Sequence, residues 1–158
     1  MRVFIGIDPG HDGGYAILYE GGGMTYGVME RDDFVHEMRM VGDEFHHDVY
    51  DAFAIVEQVN SMPKQGVAST FKLGKNAGHI EGVLEAFCIP YQTVVPRKWK
   101  AEFGLNSDKA KSCVVCKRLF PNVDLRRTKK CRKDHDGMAE ALLMAEYARR
   151  ISGRGNDS

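Results

Sequence analysis

Two apolar runs open the chain, Val3-Phe4-Ile5-Gly6-Ile7 and Tyr15-Ala16-Ile17-Leu18-Tyr19, with Asp8-Pro9-Gly10 and Gly13-Gly14 between them. Short apolar runs around Pro-Gly predict a β-hairpin that opens a sheet. Following the alternation of Ile5 and Ile7, Asp8 is expected at the lip of a hydrophobic core, where a charge is costly unless a cation or hydrogen bonds satisfy it. The same Asp, ahead of Pro9, is also an ordinary first residue of a type I turn. A Gly21-Gly22-Gly23 turn then leads to a third strand over 24–29. Phe34, Val35, Met38, Val41 and Phe45 mark one face of a helix over 31–45. Residues 52–57 form a near-continuous apolar run, the mark of a strand buried on both faces, which ends in Glu57.

After an exposed loop over 60–67, Leu73, Ala77, Ile80, Leu84 and Phe87 stripe a helix over 69–87. That helix carries Gly74, Gly78 and Gly82, each costing about 1 kcal/mol relative to Ala, and their common face predicts close approach by a neighbouring backbone. A fifth strand over 90–95 and a short helix opening at Pro96 follow. Ser107 is the expected N-cap of a helix over 108–120, and a last helix runs from about Asp136 to Ile151. With the Pro96 turn set aside, the order βββαβαβαα predicts an α/β layer fold with a mixed five-stranded sheet whose first three strands are antiparallel. Residues 1–151 are expected as one domain and 152–158 as a disordered tail.

The chain has 158 residues, 43% hydrophobic and 28% charged, the composition of an ordinary globular domain. No apolar run reaches the roughly 20 residues of a membrane span, and Met1-Arg2 leads directly into a strand, so a cytoplasmic protein is expected. The four cysteines are then expected as free thiols. Net charge is zero, yet residues 1–63 carry 3 basic against 12 acidic groups and residues 64–158 carry 19 against 10. A basic second half points to a polyanionic partner.

Two strands end in carboxylates, Asp8 and Glu57, and the final helix opens with Asp136 and carries Glu140 one turn later. Like charges four residues apart on a helix repel by a few tenths of a kcal/mol, so compensation is expected. Four converging acids without a basic partner call for divalent cations, and all-oxygen ligands select Mg²⁺ or Mn²⁺. Acids at a helix start are also common for dipole reasons alone. His46-His47-Asp48 lies in a polar connection without a third ligand and reads as a solvated loop. Cys113, Cys116, Cys131 and His135 imitate a zinc spacing, but the first two sit in an apolar-periodic helix and read as structural thiols.

Taken together, Ile5-Gly6-Ile7-Asp8-Pro9-Gly10, Ile55-Val56-Glu57-Gln58-Val59, Phe71-Lys72-Leu73-Gly74, Ile89-Pro90-Tyr91, Val95-Pro96, Lys98-Trp99-Lys100 and residues 135–143 resemble the RuvC Holliday junction resolvases, with the nearest likeness to phage-type members. The likeness runs in order over residues 3–150. It implies a ribonuclease-H-like fold, a homodimer, host-cytoplasmic action for a phage-encoded protein, and nicking of opposed strands of a four-way DNA junction with two Mg²⁺ ions per site. Asp8, Glu57, Asp136 and Glu140 take the metal-ligand positions. The chain departs from the family where two Asp three apart become Asp136 and Glu140, with His135 and Asp134 as other candidates for the fourth ligand. The aromatic that follows the catalytic Glu-Gln-Val in bacterial members is Asn60 here, which leaves Met62 as one candidate wedge.

Three basic groups are the expected DNA contacts: Lys64, Lys72 and Lys75; Arg97, Lys98 and Lys100; and Arg126, Arg127, Lys129 and Lys130 in a run just ahead of Asp136. The competing readings are a sugar-kinase-like ATPase, which needs two such domains, a non-catalytic DNA-binding module, and a flap or fork nuclease of the same fold.

Overall fold

The computed structural model describes residues 1–60 and 63–154, with the backbone alone at 154. β1 (Arg2–Asp8), β2 (Gly14–Tyr19) and β3 (Met24–Val28) form an antiparallel meander, and β4 (Asp51–Glu57) and β5 (Tyr91–Val94) extend it in parallel to give the order β3-β2-β1-β4-β5. The parallel pairings need crossovers, which α1 (Arg31–His46) and α2 (Val67–Ala86) supply on one face. On the other face lie α3 (Pro96–Glu102), α4 (Lys109–Leu119) and α5 (Asp136–Arg154). The mixed sheet flanked by helices is the one expected from the sequence.

The pleat divides the core in two. Val3, Ile5, Ile7, Ala54 and Val56 pack with Phe34, Met38, Ile80 and Leu84 of α1 and α2, while Phe4, Ile55 and Trp99 pack with Leu142, Leu143 and Ala145 of α5. Period-2 alternation therefore puts Asp8 with Phe4 and Gly6 on the α5 face, opposite Ile5 and Ile7. Asp8 thus ends β1 at the lip of the core, as expected, on the face that α5 covers. Helix α5 lies almost on the sheet because Gly6 has no side chain: a Cβ there would run into Ala141 O and Ala145 N. Gly14 and Gly137 repeat this at the other end, where a Gly14 Cβ would come within 2.7 Å of Gly137 O. These contacts bring the first turn of α5 against the β1–β2 turn.

Several boundaries shift. Helix α4 is capped by Asp108, whose Oδ1 accepts from Ala110 N at 3.0 Å, and not by Ser107. Helix α5 continues through residues 152–154, which the sequence assigned to a tail; the remainder of that tail lies outside the described residues. The close approach predicted at the α2 glycines does not occur among the described residues, since a Cβ on Gly74, Gly78 or Gly82 would meet none of them within 4 Å. All four cysteines are free, Cys113 and Cys116 being buried in α4. Among the described residues no helix is long and apolar enough to cross a membrane.

Candidate active site

Parallel pairing of β1 with β4 matches Ile7 to Val56, so the next residues, Asp8 and Glu57, end adjacent strands on the same face. Helix α5 crosses that strand end and adds Asp136 and Glu140. Asp8 is 5% exposed and Glu140 2%, which makes an unpaired charge on either expensive. Burial, then the neighbouring Glu57, push the Asp8 carboxyl up to about 7; Glu140 adds to the rise, while the Gly10 N–H at 3.0 Å and Lys109 oppose it. Glu57 is also raised, chiefly by burial, against the pull of an indole hydrogen bond from Trp99 Nε1 at 2.8 Å.

The other two acids are answered by lysines. Lys100 Nζ lies 3.0 Å from Glu140 Oε1, and the Ser112 hydroxyl is 3.2 Å from the same oxygen. Lys109 Nζ lies 3.2 Å from Asp136 Oδ2. Burial works to raise the Asp136 carboxyl, but the Lys109 hydrogen bond and charge outweigh it and hold Asp136 below the usual carboxylate range. Lys109 in turn is raised, against burial, by Asp136, Glu140 and Asp8 together. The same ammonium also acts on Glu57, so one lysine charge is felt by all four acids. The result is a graded cluster in which protons or cations are in demand at Asp8 and Glu57 and partly supplied at Asp136 and Glu140.

The cluster fits a hard divalent cation in the chemistry of its donors, all carboxylate oxygens, and in the excess of negative charge at Asp8. It is not a finished cage: among the described residues no three acid, His or Cys side chains close on one point. Each of Glu57, Asp136 and Glu140 is turned to a protein partner, so ligation requires these side chains to re-aim. His135 Nδ1 accepts from Met138 N at 3.2 Å, and Asp134 pairs with Lys117 at 2.6 Å. Both alternatives for the fourth position are therefore held by other partners.

Sequence comparison is silent on this chain: no protein-family profile matches it, and no curated protein matches it. The fold speaks instead. A Thermus thermophilus RuvC solved in complex with a Holliday junction substrate superposes with a TM-score of 0.63 at 15% identity, covering 98% of this chain and 97% of that one. The chain has the RuvC fold. A second Thermus thermophilus RuvC structure (TM-score 0.52, 18% identity, 94% and 96% coverage) repeats that RuvC likeness. The yeast mitochondrial Holliday junction resolvase (0.52, 11%, 96% and 83%) adds a further structural neighbour. The match spans the whole RuvC-like sheet and all the elements that bear the four acids.

The basic residues divide into free and engaged groups. Lys64, Lys75, Arg97 and Lys98 are exposed, and Lys72 lines a cavity beside the Pro9-Gly10 turn. Lys100 departs from the expectation of a DNA contact, being turned inward to Glu140 with its side chain 12% exposed. In the loop ahead of α5, Arg126 is held by Asp124 at 2.8 Å and Arg127 by Glu30 at 3.0 Å. Lys129 and Lys130 have no ion-pair partner among the described residues. Met62 lies outside them. Trp99, Ser112 and Lys109 are site residues that the sequence reading does not single out; the signal for Lys109 is its place at the start of a helix ahead of the acids, and that for Trp99 is its place in the Lys98-Trp99-Lys100 motif of the resemblance.

Proposed function

We propose that this chain is a structure-specific DNA endonuclease that resolves four-way junctions by Mg²⁺-dependent phosphodiester hydrolysis, acting as a homodimer. The observation that carries the reading is the meeting of Asp8, Glu57, Asp136 and Glu140, from two strand ends and one helix, at one rim of a RuvC fold. These four would hold Mg²⁺ or Mn²⁺, two ions per site, which supply water activation and charge stabilisation at the departing 3′ oxygen. Trp99 holds Glu57 in place through the indole N–H, and Lys100 pairs with Glu140 inside the core. Lys109, at the open side of the cluster, is within reach of an incoming phosphate once Asp136 turns away. Exposed Lys64, Lys75, Arg97, Lys98, Lys129 and Lys130, with Lys72, Arg126 and Arg127, supply the charge that carries a DNA strand over acids that repel it.

A second copy belongs on α2. Val67 and Phe71 are 89% and 71% exposed and share a face with Gly74, Gly78 and Gly82, whose Cβ positions open on empty space. A helix face with aromatic and aliphatic side chains at one end and a glycine groove along the rest matches a two-fold-related copy of itself, because the bulky end of each helix meets the groove of the other. Two sites related by that axis suit paired nicks in opposed strands. A flap or fork nuclease of the same fold remains the rival, and cleavage mapped on four-way, fork, flap and plain duplex DNA in Mg²⁺ separates them: paired nicks on the four-way substrate support the resolvase, and preference for forks or flaps supports the rival.

A further inference from the structure

A cavity of about 430 Å³ lies behind the turn that carries Asp8, between Pro9-Gly10 and the first turns of α2. Pro9, Met29 and Leu73 give it apolar walls, Ser69 and Asn76 give hydroxyl and amide groups, and Lys72 stands among the lining residues. The turn between cavity and acids is pinned from both sides: Asn76 Nδ2 donates to Pro9 O at 2.7 Å, and Gly10 N donates to Asp8 Oδ1 at 3.0 Å. The acids use the α5 side of the strand ends and the cavity uses the α2 side, with the Pro9-Gly10 turn between them. Nothing in the hydrolysis itself requires this space.

The geometry points to a subsite for an unstacked nucleobase of the strand being cut, beside the scissile phosphate. The volume falls in the range of small-molecule pockets, which combine apolar walls with a few placed polar groups. A nucleobase has that chemistry, with apolar faces and a hydrogen-bonding edge, and its own phosphate is matched by the Lys72 ammonium. A bare phosphate gains nothing from Met29 and Leu73. Duplex DNA keeps its bases stacked, whereas a branch point has bases that leave the stack at small cost, so the subsite selects for branched or distorted DNA at the site of the cut. The inference rests on the nuclease reading of the acid cluster.

The test is a cycle on whichever DNA the wild-type protein nicks. Abasic residues are placed in turn at the nucleotides flanking the mapped nick, and single-turnover cutting is measured with wild type and with Ser69→Trp, which fills the cavity from its rim. One position is expected to lose about tenfold in rate when the base is removed, Ser69→Trp to lose a similar factor on intact DNA, and the two together to lose little more than either alone. His11→Trp narrows the same cavity from the opposite wall and gives the same pattern should Ser69→Trp fail to fold. Additive losses, or no sensitive position in the DNA, overturn the subsite while leaving the nuclease intact. Absence of nicking on every DNA by the wild-type protein overturns both.

Discussion

In the proposed nuclease Asp8 is the residue on which the chemistry would turn, and its titration makes a prediction free of any assay on DNA. Its folded-state value of about 7 lies above the ordinary 3.8, so between those values the unfolded chain releases a proton that the folded chain keeps. The folded protein then binds more protons, and its stability falls as pH rises across that window; below it both states are protonated and above it both are ionised. Without divalent metal, Asp8→Asn is expected to melt higher than wild type at pH 8, by up to about 4 kcal/mol of stability, and at the same temperature near pH 3.5. Mg²⁺ should raise the wild-type melting temperature and leave Asp8→Asn nearly unmoved. A variant equal to wild type at pH 8 contradicts a strained carboxylate at this position. Trp99→Phe keeps an aromatic ring in the core but removes the indole hydrogen bond to Glu57, a charge-assisted bond worth about 1.5–3 kcal/mol. It is expected to slow nicking at least tenfold with junction affinity unchanged; unchanged kinetics would place Glu57 outside the reaction. All four acids were legible in the sequence because strand ends and helix starts expose them as pattern breaks. Their lysine and tryptophan partners were not, because each is brought in by packing from an element remote in sequence.

At the scale of elements, the sheet and its helices were readable from periodicity, and the errors came where tertiary packing outranks it. The four-residue glycine spacing on α2 and the close-packing glycines at 6, 14 and 137 look alike in sequence, yet the former face open space and the latter touch backbone. Only the partner element tells them apart. Gly6→Ala is therefore expected to cost about 3 kcal/mol or more in denaturant unfolding, or to prevent folding, since α5 must lift off the strand that bears Asp8. By contrast Gly78→Arg should fold with wild-type stability as a monomer and lose dimer formation by sedimentation, with paired nicking replaced by single nicks. Destabilisation with dimerisation retained argues that the glycine face is not between copies.

For the molecule as a whole, zero net charge conceals an acidic first half and a basic second half, with Arg127, Arg132 and Lys133 lining one hollow with Asp136. Arg126 and Arg127 spend charge on surface pairs with Asp124 and Glu30, but such pairs are worth at most about 1 kcal/mol and yield to phosphate. Neutralising exposed Lys129 and Lys130 should reduce the magnitude of the log–log salt slope of junction binding by about 0.9 for each phosphate no longer neutralised, with melting temperature unchanged. An unaltered slope removes that loop from the DNA path. The charge split between the halves of the chain was visible in the sequence; which cations face outward was not, because Lys100 and Lys98 differ in their role only through the turn of one short helix.

Four acids at neighbouring strand and helix ends, exposed cations in the second half of the chain and an exposed face on α2 all suit the proposed cutting at a branch point. The most direct measurement is strand-by-strand mapping of Mg²⁺-dependent cleavage on an immobile four-way junction, a fork, a flap and plain duplex of matched sequence, with Asp8→Asn as the control. The account predicts paired nicks in opposed strands of the four-way junction, none on duplex, and none with Asp8→Asn. Equal cutting of plain duplex, or nicking that survives in Asp8→Asn at the wild-type rate, contradicts it.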